Sequence, residues 1–330
     1  MKLKIGLLII IILSTGCSFS KNTDSTISDE KHTSQIFAMN TVMDITVYDA
    51  NGKEAIDAAE KKIRELEELF SVNRPESDLY RINHNKDNKQ PVPVSEDTFD
   101  LIRKSIELSK KTSGLFDISI YPIVKAWGFT DDKYVVPNKE ERKELSKLAD
   151  YRKIECKNGQ VSLDKGMQLD LGGIAKGYAA DQVIDLFREM GIRSAIVSLG
   201  GDVKSLGKKP DGTSFDIAVK HPLKEGDFLD VIQADNKAVV TSGSYERFFE
   251  KKGVRYHHIM DKQTAAPANS DLISVTVIAD HGTDADVLST AVYIMGSKKA
   301  AEFHKETGGF DMILVKKDGN VAYLNQESDF

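Results

Sequence analysis

Residues 169–181 read LDLGGIAKGYAAD: an apolar strand end, a two-glycine turn, a lysine and a helix start. This run constrains the fold more than any other, because a glycine pair between a strand and a helix fixes a sharp turn whose exposed N–H groups suit a phosphate or pyrophosphate. A nucleotide is therefore the first ligand it implies. A second fragment, DADVLSTA at 284–291, sets Asp286 and Thr290 four residues apart, so that on a helix both oxygens face the same way. Hard oxygen donors at that spacing suit Mg²⁺. Taken singly, the glycine turn also fits plain strand-to-helix geometry and the Asp/Thr pair also fits capping or a solvated face, so context decides.

The ends bound where such a site would work. Lys2 and Lys4 precede an apolar run over 5–13, and LSTGC closes at Cys17. The run is shorter than the roughly 20 residues a transmembrane helix needs. LSTGC resembles a bacterial lipobox, which implies a leader over 1–16 that is removed, a lipid carried by Cys17 (palmitate among its acyl chains) and a mature chain held at the cell membrane, facing outside the cytoplasm. The alternative is an ordinary secretory leader that happens to contain a cysteine. Residues 18–34 are mostly Ser, Thr, Lys, Asp and Asn with little to bury, so 17–34 reads as a disordered tether. Residues 35–330 are long enough for one large domain, or two intimate lobes, with a sizeable core. With Cys156 the sole other cysteine, no intramolecular disulfide framework is available. Lys and Arg total 45 against 51 acidic residues, which disfavours a polyanion-binding surface and hence nucleic acid as partner.

Periodicity organises the rest. Residues 39–48 alternate as a half-buried strand, and 54–70 place Ile56, Ala59, Ile63, Leu66 and Phe70 at helical spacing. A second helix spans 97–112 and stops at Ser113 and Gly114. Asn158–Gly159 and Asp318–Gly319 are hairpin turns between short apolar stretches. Helices are expected over 178–190, 284–295 and 298–306, and strands over 194–199, 215–219, 231–234, 238–241 and 273–279. The charged stretch 131–147 reads as a loop excursion between lobes. Helices and hairpins in this order predict an α+β fold, with mixed or antiparallel sheets covered on one side by helices.

Four further segments are better suited to a site than to a scaffold. SVNRPESDLYRIN at 71–83 is polar and follows a helix whose apolar face has stopped, leaving it free to line a cleft. SGLFDISIYPIVKAWGF at 113–129 embeds Asp117 among apolar and aromatic residues, at a cost unless the acid binds something. Thr241, Ser242 and Ser244 form a hydroxyl-rich turn, and YHHIMD at 256–261 offers two imidazoles beside a carboxylate. Each has a plain structural counterpart: Asp117 as a helix cap, Trp127 as core, His257 and His258 as an exposed strand pair.

Together with MNT at 39–41, VSLGGD at 197–202 and TSGSYERF at 241–248, these motifs occur in the order and approximate spacing of the ApbE family. From about Phe37 to its C-terminus the chain resembles an ApbE-type FAD:protein FMN transferase, a flavin transferase lipoprotein. The resemblance implies an ApbE-like fold with a flavin-nucleotide cleft between two lobes. It implies that FAD is held by Met39, Asn73, Leu115, Phe116, Asp117, Asp170, Lys176, Ser242, His258 and Ile259. It implies Mg²⁺ at Asp286, Thr290 and a carbonyl of the glycine turn, that of Gly173. FMN would pass through its phosphate to a threonine, or sometimes a serine, of an exported or membrane-attached partner protein, with release of AMP. The chain departs from the family pattern in two places. Asn40 occupies a usual glycine position, where φ > 0 would be tolerated best by Asn among other residues. Asn73 stands where many relatives have an aromatic residue, and some relatives with Asn there are associated with FAD hydrolysis in place of transfer.

The chemistry assigns roles. Lys176 and the turn N–H groups would supply fixed positive potential at the pyrophosphate. A hydroxyl nucleophile needs a base within reach, for which His258 is nominated with Asp261 as its orienting partner; His257 would exchange roles with it if the strand register differs. The competing activities are a Mg²⁺-dependent FAD pyrophosphatase and a non-catalytic flavin-binding lipoprotein.

Overall fold

The computed structural model describes residues 30–85 and 90–325. The leader, Cys17 and most of the tether lie outside the described residues. The first strand already begins at Lys31, so residues 31–34 are sheet and not tether.

Eight strands form one sheet: β1 (Lys31–Ala38), β2 (Thr41–Tyr48), β3 (Ala195–Leu199), β4 (Asp202–Leu206), β5 (Ala238–Gly243), β6 (Leu272–Ala279), β7 (Asp311–Lys316) and β8 (Val321–Leu324). Their spatial order follows the chain, and each neighbouring pair is antiparallel. The mixed pairing allowed by the sequence is therefore absent from this sheet. The expected strand at 39–48 is shortened because Met39 and Asn40 form the β1–β2 turn, with φ of 49° and 60°. Both residues being left-handed is the geometry of a two-residue turn that matches strand twist, so Asn40 does stand where a glycine would be at ease. Asn158–Gly159 turns the small hairpin Glu155–Lys157/Gln160–Ser162 in the same way, with φ of 52° and 71°.

Helices cover one face. α1 (Gly52–Phe70) buries Ala55, Ile56, Ala59, Ile63, Leu66 and Phe70, the apolar stripe expected from spacing, against the β1–β2 side. α2 (Ala175–Glu189) lies beside it over β3 and β4, α3 (Gly282–Met295) covers β5 and β6, and α4 (Ser297–Thr307) packs on α3. The other face receives the ribbon Phe215–Lys220/Phe228–Ala234, whose Ile217 and Val219 meet Val239 and Ile313. The two expected lobes are thus two halves of a continuous sheet, joined where α2 crosses α3. Segment 131–147 holds the helix Lys139–Ser146, closed by an Asn138/Glu141 capping box, and is not a bare loop. A third apolar cluster, built on Ile123, Trp127, Phe129, Phe249 and Met260, packs apart from the two sheet halves. Trp127 is core, its Nε1–H donating to Ala265 O at 2.9 Å. Among the described residues, no helix is long and apolar enough to cross a membrane.

Helices α2 and α3 approach at a pair of glycines. A Cβ on Gly177 would lie 2.2 Å from Gly282 O and 2.9 Å from Asp286 Cβ, so only glycine permits this crossing. Replacing Gly177→Ala should destabilise the protein by about 1–3 kcal/mol through overpacking against backbone. Urea denaturation checks this, and an unchanged midpoint would contradict the close approach.

Candidate functional site

The glycine turn is built by long-range pinning. No strand forms at 169–171; instead the Asn83 side chain donates to Leu169 O (2.8 Å) and accepts from Leu169 N (2.6 Å), while Asp170 N donates to Ile118 O (2.7 Å). The turn then enters α2 at Ala175, three residues before the expected start. Asp170 Oδ1 accepts from Gly172 N at 2.7 Å, and burial pushes its carboxyl above the ordinary value.

Across the crossing, Asp286 Oδ2 accepts from Gly177 N at 3.1 Å. One helical turn on, Thr290 Oγ1 lies 3.8 Å from where a Gly173 Cβ would stand and 3.3 Å from Ser242 Oγ. The Gly-Gly bend and the Asp/Thr pair, far apart in sequence, therefore share one wall of a single cleft. Its lining includes Leu115, Phe116, Asp117, Asp170, Gly172, Gly173, Lys176, Ser242, His258, Ile259, Asp286 and Thr290. A larger open groove of ≈ 870 Å³ beside the helix Lys139–Ser146 lacks such convergence.

Lys176 ion-pairs with Asp202, and its Nζ stands 3.9 Å from Asp286 Oδ2. Burial alone would lower the ammonium pKa, but Asp202 and Asp286 override it and hold it above the usual lysine value. Burial first, and then repulsion from Asp286, leave the Asp202 carboxyl at about 6 despite Lys176. Glu246 is raised to about 7, by burial and then by Asp202. Asp202 and Glu246 were present in motifs that the sequence singles out, yet nothing local assigned them a role. Asp202 is aimed by the Gly200–Gly201 turn, which starts β4 with φ of 67° and 97°.

The two histidines separate as their alternation requires. His257 is buried, with Nε2 at 3.2 Å from Ala268 O and its ring edge-on to Tyr293. His258 faces the cleft, with Nδ1 at 3.2 Å from Arg247 O. A carbonyl only accepts, so Nδ1 carries the hydrogen and Nε2 keeps its lone pair. Burial lowers both imidazoles to about 4, so both are neutral near pH 7.

Several expected members are placed otherwise. Asp261 does not orient His258; it accepts from Gln263 N (2.8 Å) and Thr264 Oγ1 (3.2 Å) within its own turn. Asp117 lines the cleft, but its carboxylate is used internally, accepting from Ser119 N and Oγ, Tyr151 N and Lys262 Nζ. It is both a cap and half of an ion pair, which offsets its burial. Met39 sits in the β1–β2 turn with its N–H on Glu67 Oε1, and Asn73 is exposed; neither is in the cleft lining. Residues 78–83 of the polar segment form a helix that buries Asp78, Leu79, Ile82 and Asn83.

Among the described residues no group of three or more His, Cys, Asp or Glu is arranged to hold a metal. The Asp286 carboxylate, the Thr290 hydroxyl and the backbone carbonyls of the bend are all hard oxygen donors.

The ApbE family model matches residues 39–314. An FAD:protein FMN transferase of Treponema pallidum (strain Nichols) is 32% identical over 302 residues, covering 85% of this chain and 83% of the relative. A protein of the same name from Klebsiella pneumoniae (strain 342) is 34% identical over 263 residues, covering 78% and 81%. The crystal structure of the ApbE protein from Thermotoga maritima matches with a TM-score of 0.84 at 33% identity, covering 89% of this chain and 97% of that one. Flavin transferase ApbE from Vibrio cholerae matches with a TM-score of 0.80 at 27% identity, covering 89% and 96%.

The histidine environments set a pH dependence. With a folded value of about 4 against an ordinary 6.5, His257 binds a proton more readily unfolded, so its stabilising contribution is present above about pH 6.5 and is lost as pH falls towards 4. His257→Phe should flatten this acid loss of stability. Urea unfolding at a series of pH values checks the slope, and an unaltered slope would refute the assignment.

Proposed function

Since this chain belongs to the ApbE family, we infer that it transfers FMN from FAD to a target protein, and we propose that the acceptor is a threonine or serine hydroxyl and that AMP is the leaving group. The observation that carries the reading is the meeting of Gly173, Lys176, Asp286 and Thr290 in one cleft that also holds His258. A diphosphate laid against the bend meets the Lys176 ammonium on one side, while the acceptor hydroxyl approaches the imidazole; most N–H groups of the turn are already bonded, Gly172 N to Asp170, Ile174 N and Ala175 N to Leu171 O and Gly177 N to Asp286.

The hydroxyl oxygen attacks the FMN-side phosphorus. Its proton passes to Nε2 of neutral His258, held in the required tautomer by Arg247 O, and the bond from phosphorus to the AMP oxygen breaks. Lys176 is fixed by Asp202 before substrate arrives, so its positive charge needs no reorganisation as the diphosphate bridge cleaves. Asp286, Thr290 and the Gly173 carbonyl would hold Mg²⁺, whose donor preference they match and which supplies charge neutralisation on the bridging phosphates. Asp117, tied to Ser119, Tyr151 and Lys262, would hold the Leu115–Phe116 segment that lines the cleft where FAD is proposed to sit.

For the chain's place in the cell we propose what the lipobox resemblance ending at Cys17 implies. Lipidation at Cys17 would tether the enzyme to the outer side of the cytoplasmic membrane, where its partners are exported or membrane-attached proteins. Mass spectrometry of the mature protein from the membrane fraction should find its N-terminus at Cys17 carrying acyl chains; an unacylated Cys17 would oppose the anchor.

The deciding experiment supplies FAD, Mg²⁺ and a threonine-bearing acceptor, and follows AMP together with flavin bound to the acceptor. His258→Ala should lower transfer by roughly 10²–10⁴-fold, and Asp286→Ala should abolish its dependence on divalent metal. AMP released equally fast without acceptor would make the protein an FAD pyrophosphatase.

A further inference from the structure

The cleft has a second pair of facing walls. One is the segment after helix Glu96–Lys111, which contributes Leu115, Phe116, Asp117 and Ile120; the other is the run His258, Ile259, Met260. The second wall leads into the hairpin Met260–Asp261/Ala266–Pro267. From its turn, Lys262 Nζ reaches Asp117 Oδ2 at 2.6 Å, with the Asp117 side chain 0% and the Lys262 side chain 17% exposed. The ammonium also stands 5.2 Å from the Tyr151 ring centroid. Space for it is kept by Gly114, where a Cβ would lie 3.0 Å from Lys262 Nζ and 3.1 Å from Tyr151 Cε1.

Without Lys262 the Asp117 carboxylate would still accept from Tyr151 N, Ser119 N and Ser119 Oγ, at 2.9, 2.9 and 2.6 Å. Those three bonds shape the first wall by themselves. What Lys262 adds is a tie between walls, four residues beyond His258. The return limb of the hairpin is fastened separately, by Trp127 Nε1–H to Ala265 O.

We propose that Lys262 is a positioning residue for the transfer reaction: its ion pair with Asp117 fixes the separation between the Leu115–Phe116 wall and the strand end carrying His258, and so both grips the flavin and aims the base. This rests on the reading of the cleft as the FAD site. A side chain that only filled space would be replaced without penalty by one of similar length, whereas a tie needs the charge.

The test compares Lys262→Met, Lys262→Gln and Lys262→Arg with the unaltered protein, by flavin fluorescence for FAD affinity, by steady-state transfer and by thermal unfolding. Met and Gln should each weaken FAD binding about tenfold and lower kcat at saturating FAD about tenfold, because a base displaced by a fraction of an ångström loses its alignment. Arg should restore most of both, and all three should unfold cooperatively. Wild-type affinity and kcat in Lys262→Met would overturn the proposal. So would a Met or Gln chain that has lost its cooperative transition, or an Arg variant no better than Met, since either makes Lys262 a stability residue. Failure of the unaltered protein to bind FAD would instead sink the reading of the cleft.

Discussion

The whole site depends on α2 and α3 touching backbone to backbone. At Gly177 and Gly282 there is no room for a Cβ, and the contact is locked by two ion pairs between α2 and β4: Lys176 with Asp202, and Asp181 with Lys204. Asp202 and Lys204 are two residues apart on one strand, so both point to the helical face. Lys204 is 2% exposed, a charge that burial would make costly if its partner were not so well supplied. Asp181 also accepts from Gly282 N, Thr283 N and Thr283 Oγ1, which places a carboxylate on the free N–H groups of α3. The same collar that starts α3 therefore sets the rotation at which Asp286 and Thr290 face the glycine turn.

The electrostatics follow from that geometry. Lys176 stands among Asp202, Asp286 and Glu246, and the upward shifts of Asp202 and Glu246 express burial together with mutual repulsion of too many negative groups. A diphosphate adds further negative charge to this neighbourhood. In the proposed reading a divalent cation held by Asp286 and Thr290 would supply the positive charge that offsets this, while Lys176 stays paired with Asp202. Under that reading the carboxylate cluster would make nucleotide binding depend on the cation.

Features governed by neighbours along the chain were legible in the sequence. The buried stripe of α1, the Asn-Gly hairpin, the Asp286/Thr290 spacing and the left-handed turn at Asn40 each express a local rule. What was not legible was set by partners distant in sequence. Nothing near Leu169 reveals that Asn83 supplies the hydrogen bonds a sheet neighbour would, so a pinned extended segment looked like a strand end. Asp117 looked like a ligand-seeking acid because its partners, Tyr151 and Lys262, come much later in the chain. Asp261 looked like the orienter of His258 by proximity, but the acceptor for Nδ1 is a backbone carbonyl, which no residue type announces.

The two histidines show how a turn chooses which imidazole a cleft receives. Strands Phe248–Lys251 and Val254–His257 are joined by Lys252 and Gly253, both left-handed with φ of 53° and 75°, and this fixes Phe248 opposite His257. Beyond that last pair, His258 continues the ladder with its own N–H on Arg247 O, and its ring folds back to the same carbonyl. A one-residue slip would exchange the faces of neighbouring side chains. His257 would then enter the cleft while His258 was forced against Tyr293 and Ala268. Which histidine faces the cleft is thus selected by the register that two turn residues impose, and its tautomer by a carbonyl that the same register brings into reach.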